Sequence, residues 1–274
     1  MANRLTLLLR DLHIPPNAVS VAGMLFGLLA GFAYFRYEDP RWASAGFILM
    51  IAWHVMDGAD GQLARLTHAQ SETGRVLDGI CDYVTFIAVY TSLALALSRQ
   101  HGDLVWLLVV MAGACHAVHS AAYEVQRQEY DFWALGRGSK DILGAAAPPP
   151  DATSVPPTPR ILRLLGRLYA KVQFLLIGST LDFHERLDER LRSQPERTAA
   201  VRRRYRQVFA QPVRRWSVLS ANYRTLGIFI FAMLKVPLYY FFFEIFGFSI
   251  ILAALAYQQR WRHVSFLNDL RAVD

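Results

Sequence analysis

The stretch DGADGQLARLTHAQSETGRVLDGICD, residues 57–82, governs how this chain is read. It follows the apolar run WASAGFILMIAWHVM, residues 42–56, and sets four carboxylates, Asp57, Asp60, Asp78 and Asp82, at the ends of segments otherwise suited to lipid. A charged side chain at the centre of a membrane helix is unfavourable by about 2.5–3.5 kcal/mol on insertion scales, and by less near the interface. Four of them call for a compensating cation or a water-filled cavity. On a helix Asp57 and Asp60, three apart, share a face, as do Asp78 and Asp82, four apart. If the two helices pack side by side, all four converge. With no histidine or cysteine in the pattern, such an all-oxygen set suits hard cations, Mg²⁺ or Mn²⁺, and two of these suit a diphosphate.

The rest of the chain agrees with a membrane setting. Its 274 residues are 54% hydrophobic and only 19% charged, with a mean hydropathy of +0.22, which is too apolar for an ordinary soluble domain. An all-α integral membrane protein is expected. Spans of roughly 20 apolar residues are expected at about 19–35, 42–56 with a polar extension, 78–97, 104–123, 218–234 and 238–257, six in all. Lys235 is expected at the outer end of the fifth, and Lys235, Pro237 and Glu244 mark either a turn or a kinked helix. The start, MANRLTLLLRDLHIPPN, has its apolar run broken by Arg10. It is expected to be a short interfacial helix rather than a signal peptide.

Arginine and lysine placement sets the orientation. RYEDPR and SRQHGD are short and nearly neutral, whereas the N-terminus, residues 126–217 and the tail are basic. Both termini and the four aspartates are therefore expected at the cytosolic face, in the cell membrane. Three regions follow: 1–125, with the interfacial helix, four spans and the aspartates; 126–217, a basic cytosolic insert; and 218–274, two spans and a basic tail. Within the insert, GAAAPPPDATSVPPTP reads as an extended, mobile linker. RILRLLGRLYAKVQFLL, residues 160–176, sets an apolar stripe against Arg160, Arg163, Arg167 and Lys171, as a membrane-surface helix does. Seven arginines and no acidic residue fall within 197–215, and the formal net charge is +7. Anionic lipid headgroups explain that balance better than nucleic acid does. Cys81 and Cys115 lack metal-site spacing and read as small buried residues.

The spacers in the opening stretch sharpen it. Gly61 and Ala64 leave a helix face bare for close approach of a ligand to the backbone, Arg65 adds a fixed positive charge, and Gly74 opens the next helix in the same way. The whole reads D-x-x-D-G-x-x-A-R-x8-G-x3-D-x3-D. This pattern resembles the signature of the CDP-alcohol phosphotransferase (CDP-alcohol phosphatidyltransferase) family and meets all eight of its fixed positions. PNAVSVAG, with Asn17, Ser20 and Gly23, is similar to the start of that family's first helix. A six-helix count fits too, whereas the long basic insert departs from compact members.

The resemblance implies that Asp57, Asp60 and Asp78, with Asp82, hold one or two divalent metals, Mg²⁺ or Mn²⁺, which grip the diphosphate of a CDP-alcohol. It implies that Asp82 is the general base for an acceptor hydroxyl, that Gly61, Ala64, Arg65 and Gly74 line the nucleotide site, and that the protein is a homodimer. The donor is expected to be CDP-diacylglycerol. Transfer of phosphocholine or phosphoethanolamine from a small CDP-alcohol to a lipid hydroxyl is the alternative. Arg127 and Arg224, with Tyr123 and Asn222, are expected either to bind a phosphorylated acceptor or to anchor helix ends at the interface. His54 is expected to be a packed, hydrogen-bonded residue.

Three other readings fit less well. A calcium loop starting at Asp57 would have Ala59, Gly61 and His68 where oxygen ligands belong. An intramembrane prenyltransferase leaves Gly61, Ala64 and Arg65 without a role. An ion-pathway protein would be expected to carry inverted repeats, and the sequence has no visible repeat.

Overall fold

The computed structural model describes residues 2–136 and 181–272. The proline-rich linker and the amphipathic helix expected at 160–176 lie outside the described residues. Within them the chain forms helices joined by turns, with no strand. In chain order these are α1 (Ala2–Asp11), α2 (Pro16–Tyr34), α3 (Pro40–Leu66), α4 (Glu72–His101), α5 (Leu104–Leu135), α6 (Leu181–Ser193), α7 (Thr198–Trp216), α8 (Ala221–Met233), α9 (Pro237–Phe242) and α10 (Phe248–Ala272).

Local chemistry sets the boundaries that matter for the aspartates. Pro16 and Pro40 open α2 and α3 at a position where the missing N–H leaves no helical bond unmade. The Asp39 carboxylate caps α3 by accepting from the Arg41 N–H at 2.9 Å. Past Leu66 the Thr67 hydroxyl donates to the Leu63 carbonyl at 2.8 Å, and His68 adopts φ 53°, which turns the chain. Ser71 then caps α4, its hydroxyl accepting from the Gly74 N–H at 3.0 Å. One tight connection thus lies between the two aspartate pairs.

Among the described residues, four segments are long and apolar enough to cross a bilayer: Pro16–Tyr34, Val76–His101, Leu104–Leu135 and Pro237–Leu270. Their outward residues are those that lipid solvates; Leu25, Leu29, Phe32, Ile87, Val110 and Ile250 are all exposed. The count of six is therefore not reached on length and composition. The expected second span is the apolar part of α3, whose C-terminal portion carries Asp57, Asp60 and Arg65. The expected fifth is α8, whose 13 residues rise only about 20 Å against a hydrocarbon core of about 30 Å. At the junction both sequence options are realised: Lys235, at φ 59°, turns the chain ahead of Pro237, and a π segment at Phe243–Gly247 interrupts the helix beyond it.

Contacts group the residues into two compact units, one of 1–113 with 222–244, the other of 114–221 with 245–274. In the first, α2 packs closely on both α3 and α4, while α3 and α4 approach each other at few points. Glycines make this possible. A Cβ at Gly27 would collide with the Thr85 side chain, and one at Gly31 would lie 2.9 Å from the Ala88 carbonyl oxygen. Helix α1 rests on α3 through Leu9, packed with Val19, Ala59 and Leu63, and exposes Leu7 and Leu8.

The second unit is built on an aromatic core of Trp133, Phe183, Tyr205, Phe209 and Phe266. Buried Glu129 accepts from the Tyr205 hydroxyl at 2.8 Å and hydrogen-bonds His263 Nε2 at 2.9 Å. Burial, with the Glu129 carboxylate beside it, pushes the Tyr205 hydroxyl well above the usual tyrosine range, so it remains a neutral donor.

Candidate active site

Asp57, Asp60 and Asp78 each offer a carboxylate oxygen to a cluster in which all three atoms lie within 4.8 Å of one another. Two come from the last turns of α3 and one from the second turn of α4, so the connection at 67–71 folds the two ends together. Helix α2 is seated against both, and α3 and α4 meet at the carboxylates and where the Trp53 ring stands edge-on to Phe86, centroids 5.4 Å apart.

Asp60 is the most enclosed of the three, at 4% exposure. Its Oδ2 accepts a 2.5 Å hydrogen bond from the Ser20 hydroxyl of α2. Asp82 stands one turn beyond Asp78 on the same face of α4 and interacts electrostatically with Asp57, Asp78 and Asp60. Its Oδ1 is buried without a hydrogen-bond partner.

This geometry fits a divalent cation. Oxygen ligands stand about 2.0–2.6 Å from Mg²⁺ or Ca²⁺, so three oxygens this close can share one ion. Like charges at this spacing repel strongly in a poorly solvated site, and a cation relieves that repulsion. The orphaned Asp82 oxygen is a further acceptor awaiting a proton or an ion.

Of the residues expected at the nucleotide, Gly61, Ala64 and Arg65 share a face of α3, and Gly74 lies in the first turn of α4. Gly61 and Ala64 are half-buried and Arg65 is exposed. The Arg65 guanidinium folds back over Gly61, with Nη1 3.5 Å from where a Cβ would stand. Gly74 faces Asn17 of α2, whose Oδ1 would lie 3.3 Å from an added Cβ.

The acceptor candidates are placed differently. Arg224 is fully buried and bonds Glu244 through Nε at 3.1 Å, while the Tyr240 hydroxyl donates to the other Glu244 oxygen at 2.9 Å. Arg127 is clasped by Glu124 at 2.6 and 2.9 Å, with Asp131 at 3.9 Å. Tyr123 packs against the Trp216 and Leu219 cluster, and Asn222 is exposed. Both guanidinium groups thus have carboxylate partners inside the protein. His54 bonds Thr225 at 2.9 Å and lies against the Trp53 ring, as a packed residue.

Fold and cluster together define a multi-pass helical membrane protein with a convergent carboxylate site. Residues 13–143 match the family described as CDP-alcohol phosphatidyltransferase. Among curated proteins it is similar to the CDP-diacylglycerol–serine O-phosphatidyltransferases of Mycobacterium bovis and Mycobacterium tuberculosis. Each is 28% identical over 120 residues, covering 43% of this chain and 40% of the relative. That of Mycobacterium leprae is 25% identical over 113 residues, 41% of this chain and 36% of the relative. The matched part spans about two fifths of the length of these curated relatives.

Proposed function

We propose that this protein transfers a phosphatidyl group from CDP-diacylglycerol to the hydroxyl of a small polar acceptor, releasing CMP, in phospholipid synthesis. The observation that carries the reading is the convergence of Asp57, Asp60 and Asp78 from two helices at a membrane-embedded bundle, with an unpartnered Asp82 oxygen beside them. The family match over 13–143 and the activity in the relatives' names support the donor and the class of reaction.

Asp57, Asp60 and Asp78 would be the main ligands of Mg²⁺ or Mn²⁺, with Asp82 beside them. A metal held there would neutralise the diphosphate and the charge that builds on the leaving phosphate. Arg65 and the bare surface at Gly61, Ala64 and Gly74 receive the nucleotide. Asp82 takes the proton of the acceptor hydroxyl as its oxygen attacks the phosphorus remote from the cytidine. The new P–O bond forms as the bond to the CMP oxygen breaks, and that electron pair leaves with CMP.

Serine is the acceptor favoured by the relatives' names. A phosphorylated acceptor held by Arg127 and Arg224 is less well supported, because each guanidinium already has a carboxylate partner. On this reading the protein lies in the cell membrane with its site toward the cytosol and works as a homodimer. The test is CMP release by protein in lipid with Mn²⁺, from CDP-diacylglycerol, CDP-choline or CDP-ethanolamine, each against serine, glycerol phosphate and inositol phosphate. Release with CDP-diacylglycerol and serine is expected. Release confined to CDP-choline or CDP-ethanolamine with a lipid hydroxyl would move the protein to the alternative branch of the chemistry.

A further inference from the structure

The cluster has a third wall. Helix α2 lies against both α3 and α4, and at its second turn Ser20, 7% exposed, directs its hydroxyl to Asp60 Oδ2 at 2.5 Å, while Asp60 itself is 4% exposed. The Pro16 carbonyl oxygen lies farther from that hydroxyl, at 3.3 Å. A hydroxyl carries one proton, and the charged, nearer carboxylate is the stronger acceptor. Two features bring the partners together. Gly23, one turn on from Ser20, lets α2 approach α3 so closely that a Cβ there would lie 3.1 Å from the Met56 Cβ. The cluster of Leu9, Val19, Ala59 and Leu63 packs the residues adjoining both Ser20 and Asp60.

We infer that Ser20 is a positioning residue for the metal site. It occupies one oxygen of Asp60, fixes the plane of that carboxylate and so aims it toward Asp57 and Asp78. The inference rests on the metal-binding reading of the aspartates and adds to it a residue from a third helix. A free carboxylate on α3 would sample several rotamers; tied to Ser20, it is presented to the ion in one. Outer hydrogen bonds to metal ligands are typically worth about tenfold to a hundredfold in affinity.

The experiment is Mn²⁺ titration of the purified full-length protein in lipid nanodiscs, followed by the electron paramagnetic resonance signal of free Mn²⁺, for wild type, Ser20→Ala and Ser20→Thr. Melting is recorded with and without Mn²⁺. The expected result is an affinity about tenfold to a hundredfold weaker for Ser20→Ala, near wild-type affinity for Ser20→Thr, and similar melting of all three without metal. Wild-type affinity in Ser20→Ala overturns the role, as does equal weakening by Ala and Thr, or a loss of metal-free stability that accounts for the change. Absence of saturable Mn²⁺ binding by the wild type overturns the metal reading itself, and the inference with it.

Discussion

Asp82 differs from the other three aspartates in how its oxygens are used. Asp57, Asp60 and Asp78 crowd one another, whereas Asp82 keeps a buried oxygen with no partner. A carboxylate pressed against cations is a weak base, and one standing off can accept a proton. Asp82→Asn is accordingly expected to lower turnover by at least about a hundredfold, the lower end of general-base contributions, while Mn²⁺ and CDP-alcohol still bind. Kinetics paired with equilibrium binding check this. Arg65→Ala is expected to weaken CDP-alcohol binding by about 1.5–3 kcal/mol, the usual worth of a charge-assisted hydrogen bond; unchanged affinity would remove Arg65 from the site. The Arg224–Glu244 pair, both residues at 0% exposure, gives a different expectation. Arg224→Met alone leaves a buried carboxylate uncompensated and is expected to lower stability by about 3–5 kcal/mol, while Arg224→Met with Glu244→Leu recovers most of it. Melting curves of the two variants separate this structural role from acceptor binding. The aspartates were legible in the sequence because 3- and 4-residue spacings fix a shared face whatever the tertiary packing. The partner of Asp60 was not, because Ser20 lies 40 residues away, and only the approach of α2 brings it in. Arg224 was misleading for a related reason: an arginine at a predicted helix end reads as solvent-facing until Glu244 is seen against it.

At the scale of elements, the arrangement depends on α2 touching two helices at once. Gly23, Gly27 and Gly31 recur every fourth residue along one side of α2, a spacing of small residues that lets membrane helices close in. This periodicity is present in the sequence, but it is masked by the uniformly apolar residues around it, which carry no helix-period contrast. Gly31→Ala places a methyl group 2.9 Å from the Ala88 carbonyl oxygen and is expected to destabilise by about 1–3 kcal/mol, with a parallel loss of Mn²⁺ affinity as α2 and Ser20 draw back. Gly79→Ala, where an added Cβ meets nothing within 4 Å, is the control and is expected to leave melting unchanged or slightly raised. The count of spans was less legible than their existence. Hydropathy locates apolar runs, but it cannot tell a complete crossing from the shorter α8 or from α3, where the functional carboxylates interrupt the run.

For the whole molecule, composition identified an all-helical membrane protein, and both units bear that out with no strand among the described residues. What composition could not disclose is how the polar side chains of the second unit are held. Glu129, Tyr205, His263 and His184 come from α5, α7, α10 and α6, and the contact between Trp133 Nε1 and His184 Nδ1, at 2.7 Å, leaves the other ring nitrogen of His184 turned toward Glu129 at 3.6 Å. Charge alone suggests a solvated face at 181–207, yet Phe183, Leu187 and Tyr205 there lie in a buried core, with the Tyr205 hydroxyl on Glu129. The central claim, that four aspartates at the junction of α3 and α4 make a metal-dependent site for CDP-alcohol chemistry, is tested most directly by one measurement. It is CMP release from CDP-diacylglycerol and serine by the wild-type protein in lipid, before and after chelation with EDTA and after restoring Mn²⁺. The account predicts release that stops on chelation and returns with Mn²⁺; release that continues undiminished in excess EDTA, or its absence in folded protein supplied with Mn²⁺, would contradict it.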